Sequence, residues 1–183
     1  MTRHLLLMRH AKSDWNDSSL ADKDRPLNAR GRATAPTVAN WMIKHEHLPD
    51  LVLCSRAIRT QQTLELIILQ WTSLQMENPQ LVLPRVVLED RLYLASDTTI
   101  LSIAKEGANA HDSCQCVMVL GHNPGMEVLA SKLGGKPVSM PTGAIAILAS
   151  DSNEEEWPED WGNDKMWKWR GLVKPRELGS ETI

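Results

Sequence analysis

Three short aliphatic runs, each followed at once by charged or chemically active residues, restrict this chain more than anything else in its sequence. They are Leu5-Leu6-Leu7-Met8, Leu51-Val52-Leu53-Cys54 and Val117-Met118-Val119-Leu120. Runs this short and this continuously apolar suit strands covered on both faces. Each is succeeded by a segment of helical character, so the pattern predicts an α/β fold: a three-layer α/β/α sandwich around a mainly parallel central sheet. In open sheets of that kind, ligands bind outside the carboxyl ends of the strands. There the chain places Arg9-His10-Ala11, Ser55-Arg56-Ala57-Ile58-Arg59 and Gly121-His122-Asn123-Pro124-Gly125.

If the three strands are parallel neighbours, Arg9, His10, Arg59 and His122 meet at one edge. Such a set repels itself unless an anion lies within it, and arginine forks match phosphate oxygens. The expected site is a phosphate pocket. His10 can attack phosphorus, Arg9 and Arg59 can meet the equatorial charge, and His122 can donate a further hydrogen bond. Arg25 lies in the polar stretch 12–28, expected to loop over the sheet edge, and could fold over the same phosphate. Lys12 reads as a solvated loop lysine, with a bias of the pocket towards anions as the alternative.

The rest of the chain fits one domain over residues 1–183. Helices are expected at 30–46, with Pro36 moving the start towards Thr34, and at 57–74, 98–105 and 126–133. Further strands are expected at 82–88, at an edge because of Pro84, and at 144–149 and 166–172. An acidic loop at 151–164, with Glu154-Glu155-Glu156, and a tail at 173–183 complete the chain. Trp157, Trp161, Trp167 and Trp169 are expected to pack in the core or cover the last strand.

Charge and composition exclude several classes. With 20 Lys+Arg against 23 Asp+Glu, no bulk attraction to nucleic acid or acidic membranes is expected. No run approaches the roughly 20 apolar residues of a membrane span. Met1-Thr2-Arg3-His4 leads straight into the first strand, so no export signal is expected, and the 3 cysteines suit a reducing cytoplasm. Cys114 and Cys116 lack a second pair and do not read as a zinc site, so neither metal nor cofactor is expected.

In order along the chain, Arg9-His10-Ala11, then Ser55, Arg59, Gln62 and Thr63, then His122 in Gly121-His122-Asn123-Pro124, resemble the signatures of the histidine phosphatase superfamily, the phosphoglycerate-mutase-like group. Alanine stands at position 11 where the superfamily has glycine. The stretches Arg25-Pro26-Leu27-Asn28-Ala29-Arg30-Gly31 and Pro141-Thr142-Gly143-Ala144-Ile145-Ala146 are similar to its small phosphohistidine phosphatase branch, the SixA type. The resemblance spans about residues 5–148.

It implies that His10 is the phospho-accepting nucleophile, that Arg9, Arg59 and His122 complete the phosphate pocket, and that Arg25 is a fourth contact. It offers Glu89 or Asp90 as proton donor, weighed evenly against a solvated loop pair. The implied activity is a metal-independent phosphatase with a phosphohistidine intermediate. Its substrate would be phosphohistidine on a protein or a small phosphoester. A phosphate- or phosphoprotein-binding module without turnover is the alternative from another class.

Overall fold

The register of β1 (Thr2–Arg9) organises the molecule. It pairs in parallel with β4 (Cys116–Gly121), Leu5 opposite Val117 and Arg9 opposite Gly121, and in antiparallel with β5 (Ile145–Asp151). The structure is a computed structural model that describes residues 2–111, 113–151, 157 and 160–178. Its 6-stranded sheet runs β3-β2-β4-β1-β5-β6, where β2 is Leu51–Ser55, β3 is Arg85–Glu89 and β6 is Lys168–Val173. The strands from β3 to β1 are parallel, and only β5 runs the other way. The three runs singled out in the sequence are therefore adjacent, in the order β2-β4-β1.

Alternation along β1 divides the core into two layers. Leu5 and Leu7 face the side covered by α3 (Asp97–Asn109) and α4 (Gly125–Leu133), among Ile100, Leu129 and Leu133. Leu6 and Met8 face α1 (Ala29–Lys44) and α2 (Ile58–Glu77), among Val38, Met42, Ile67 and Trp71. Successive strand side chains point to opposite faces, so a run with no polar member fits only a sheet covered on both. Trp157, Trp161 and Trp167 are buried on the α3–α4 side, with ring centroids 4.7 Å apart for the first two. This is the packing role expected of them.

Several boundaries differ from the sequence reading. α1 starts at Ala29, well before Thr34, because the Asn28 side chain accepts from the Gly31 amide at 2.9 Å and caps the helix there. Pro36 stays inside α1, which gives up only the bond a proline nitrogen cannot donate. β3 begins just after Pro84 and lies at the sheet edge as expected, but it runs one residue further, to Glu89. The last strand begins at Lys168, since 164–166 forms a 3-10 turn. A short helix, α5 (Pro175–Leu178), follows it. Glu154-Glu155-Glu156 lies outside the described residues, and no described helix is long and apolar enough to cross a membrane.

Candidate active site

Arg9 and Gly121 are the last residues of their strands and stand side by side. The next residues, His10 and His122, therefore leave the sheet together. The His10 amide donates to the Gly121 carbonyl at 3.1 Å, and the two imidazoles come within 5.3 Å, centroid to centroid. β2 contributes Ser55, whose Oγ is 2.9 Å from His122 Nε2, and the first turn of α2 contributes Arg59. Arg9, His10, Arg59 and His122 line one cavity of about 360 Å³, together with Lys12, Trp15 and Asp22. The structure thus brings together the four residues that the strand-end argument brought together.

The spacing of the second motif has a structural reason. Arg59, Gln62 and Thr63 lie three and four residues apart, on one face of α2. Thr63 Oγ1 donates to the Arg59 carbonyl and accepts from the Ala11 amide at 3.1 Å, tying the segment after β1 to the helix. Gln62 Oε1 accepts from the Leu27 amide at 2.8 Å and ties down the loop over the pocket. Ala11 is fully buried and is not among the residues with positive φ. Its backbone therefore does not require glycine.

Hydrogen bonding fixes the protonation of the nucleophile candidate. His10 Nδ1 lies 2.7 Å from the Ala11 carbonyl oxygen, which can only accept. Nδ1 therefore carries the hydrogen, and in the neutral ring Nε2 holds the free lone pair. Burial pushes the His10 pKa down to about 4, opposed by the Ala11 carbonyl and helped by the charges of Arg59 and Arg9. Burial, then Arg59 and His10, push His122 down to about 3. Both rings are neutral at physiological pH.

His122 Nδ1 is buried and has no hydrogen-bond partner among the described residues, and the same holds for Arg9 Nε. If Ser55 donates its hydroxyl hydrogen to His122 Nε2, the other ring nitrogen is an N–H donor. Arg9 is anchored at its far end, Nη1 donating to the Met140 carbonyl at 2.8 Å. Burial lowers the Arg9 pKa, and the nearby Glu127 carboxylate counters it. Glu127 in turn accepts from the Met140 amide and Asn123 Nδ2, which fixes the turn behind the pocket.

Arg25 is not among the residues that line the cavity, and its Nε and Nη1 are buried without a hydrogen-bond partner among the described residues. Its guanidinium stacks on Trp15 at 3.7 Å, and Trp15 is 64% exposed on the cavity wall. Glu89 is not brought to the pocket. β3 is the edge strand, and both Glu89 oxygens are taken by Arg91: its amide at 3.0 Å and its guanidinium at 2.8 Å. Those bonds hold the Glu89 carboxyl below the usual range. Asp90 is exposed and pairs with Lys23 and Arg56, each at 3.3 Å. Lys12, by contrast, lines the cavity while remaining exposed.

The carboxylate that does reach the pocket is Asp22, which the sequence reading missed. Its Oδ2 accepts from Arg59 Nη2 at 2.9 Å and from the Tyr93 hydroxyl at 2.8 Å. Its backbone carbonyl accepts from Arg59 Nη1. Burial would raise its carboxyl pKa, but the bonds from Tyr93 and Arg59 outweigh that and hold it below the usual range. An aspartate in a polar loop has no spacing signature. Its only sequence signal was its place in the loop already expected to fold over the sheet edge.

The sequence and the fold, in turn, match those of known proteins. Residues 5–80 match the histidine phosphatase superfamily, branch 1. The chain is 33% identical over 175 residues to an uncharacterised chloroplastic protein of Arabidopsis thaliana, covering 96% of this chain and 79% of that one. It is 32% identical over 152 residues to an uncharacterised protein of Mycobacterium tuberculosis, covering 77% and 85%. Among solved structures, a protein assigned as phosphohistidine phosphatase SixA from Agrobacterium tumefaciens superposes with a TM-score of 0.73 at 27% identity, over 94% of this chain and 98% of that one. A protein histidine phosphatase SixA complexed with tungstate shares the fold, at 23% identity and a TM-score of 0.73 over 96% and 99%. The chain therefore belongs to the histidine phosphatase superfamily, with the architecture of its SixA-type members.

Proposed function

We propose that this protein removes the phosphoryl group from phosphohistidine on a protein, through a phosphohistidine intermediate at His10. The observation that carries the reading is the tautomer of His10: its Nδ1 hydrogen is committed to the Ala11 carbonyl, which leaves Nε2 as a nucleophile in the cavity that Arg9, Arg59 and His122 also line. In the first step Nε2 bonds to phosphorus as the bond from phosphorus to the substrate imidazole breaks, and that imidazole leaves with a proton from solvent. In the second, water attacks the phosphoryl group on His10, gives up a proton and releases phosphate, and the neutral ring is restored. Arg9 and Arg59 carry the charge of the transferring group throughout, with His122 donating to an oxygen.

The acid-poor wall of the cavity favours phosphohistidine over an alcohol ester. Asp22 is the one carboxylate among the described lining residues, and it is held ionised by Arg59 and Tyr93. Imidazole leaves phosphorus without a strong acid, whereas an alkoxide needs one. The opening at Trp15 and Leu94, both exposed, gives a protein side chain access. We place the protein in a reducing, cytoplasmic setting, supported by its free Cys54, Cys114 and Cys116.

The test compares turnover of a phosphohistidine peptide with that of a chromogenic phosphomonoester. A much higher kcat/KM on the peptide, lost in His10→Ala, is expected. Equal or better turnover of the ester would reassign the substrate, and tight binding of both without phosphate release would reassign the protein as a binding module.

A further inference from the structure

Beside the catalytic cavity lies a smaller one of about 90 Å³, lined by Lys12, Arg30 and Arg176 with Thr34, Thr142 and two prolines. It shares Lys12 and Thr142 with the catalytic cavity, so the two are contiguous. No carboxylate lines it among the described residues, and none of its three cations is held in an ion pair there. Glu177, next to Arg176 in sequence, pairs with Lys174 at 3.3 Å instead. In a chain with 23 acidic and 20 basic side chains, three cations converging without an acid form a local positive site.

The site is built rigidly onto the nucleophile. Gly31 of α1 presses on the segment after β1 so closely that an added Cβ would lie 2.2 Å from the Lys12 carbonyl oxygen. That oxygen also accepts from the Asn28 amide at 3.0 Å. On the other side, the Gly143 amide donates to the His10 carbonyl at 2.9 Å. Gly143 has φ +80°, and a Cβ there would meet Pro175 at 2.9 Å and Thr34 at 3.1 Å. The backbone at Lys12 and Gly31, beside Arg30, is thus tied to the segment that carries His10, and Pro175, beside Arg176, lies against Gly143, while the three cationic side chains are exposed to an incoming anion.

We infer that this second cavity is an oxyanion subsite, so that the substrate presents a carboxylate or phosphate beside its reacting phosphoryl group. The inference rests on the phosphatase reading and deepens it. The arginine forks would take the second anion, with the Thr142 hydroxyl as an added donor and Lys12 between the two subsites; the Thr34 hydroxyl already donates to the Arg30 carbonyl at 2.8 Å. The anion has two possible sources: an acidic side chain flanking a phosphohistidine, or a second acidic group on a small phosphate.

The test measures kcat/KM on phosphohistidine peptides flanked by Glu or by Gln, and on 2-phosphoglycolate or ethyl phosphate, for the wild type and for Arg30→Gln/Arg176→Gln. The wild type is expected to prefer the acidic member of one pair by about tenfold, mainly through KM. In the double variant that ratio falls to about one. The peptide pair or the ester pair, whichever shows the effect, identifies the source of the anion. A wild-type ratio near one in both pairs, or a preference the double variant keeps, overturns the subsite while leaving the phosphatase reading in place. No turnover of any substrate overturns the phosphatase reading and the subsite with it.

Discussion

Asp22 places its carboxylate on Arg59, 2.9 Å from Nη2, while the same oxygen accepts from the Tyr93 hydroxyl. A residue in position to bind phosphate is thus already held by an anion of the protein's own. That anion is fixed to a loop, so it keeps Arg59 buried and oriented while adding a negative charge where a phosphoryl group would bind. Asp22→Asn keeps an acceptor for Arg59 and removes the charge. It should tighten inhibition by orthovanadate about three- to tenfold. Weaker inhibition in this variant would mean that Asp22 acts mainly by orienting Arg59.

The hydrogen bond between Ser55 and His122, at 2.9 Å, sets which nitrogen of His122 is available to a phosphate oxygen. Ser55→Ala should lower kcat roughly tenfold with a small change in KM, and His122→Ala should lower it more. Loss of the buried Ser55 hydroxyl should also destabilise the fold by about 1 kcal/mol, read by urea unfolding.

The two buried histidines tie stability to pH. Their folded-state pKa values, about 4 for His10 and about 3 for His122, lie below the ordinary value of 6.5. Above pH 6.5 both states are neutral and these rings impose no pH dependence. Below it the unfolded chain binds protons that the folded chain refuses, so stability falls as pH drops towards 4 and then 3. Between pH 7.5 and 5.5 the loss attributable to the pair should be about 3 kcal/mol, from unfolding titrations compared with a His10→Asn/His122→Gln variant. A pH-independent difference between the two proteins would contradict this.

Glu89 is engaged by Arg91 and stands away from the pocket. Glu89→Gln should leave kcat/KM on a phosphohistidine peptide within about twofold of wild type. A fall of more than tenfold would restore it as the proton donor.

The parts of the fold that were legible in the sequence are those fixed by local physics. Leu5–Met8, Leu51–Cys54 and Val117–Leu120 are apolar on both alternations, so they read as sandwiched strands whose following residues lie at one edge. Glu89 stayed even between proton donor and solvated loop residue because its reading depended on where the end of an edge strand sits relative to the pocket, and on an arginine two residues away. Both are tertiary facts. Asp22 was invisible for the opposite reason: a loop aspartate looks solvated until the fold lays it against Arg59. Pro36 suggested a late start for α1, and the Asn28 cap overrode it. The basic cavity joins Lys12, Arg30 and Arg176 from three separate segments, a convergence no local spacing announces.

The central claim is that His10 carries the phosphoryl group in mid-reaction. The direct measurement is to quench the enzyme during turnover of a labelled phosphohistidine peptide and locate the label on the protein. The account predicts phosphate on His10 that is labile in acid and stable in base, absent from His10→Ala. Label on any other residue, or turnover by His10→Ala at the wild-type rate, would contradict it.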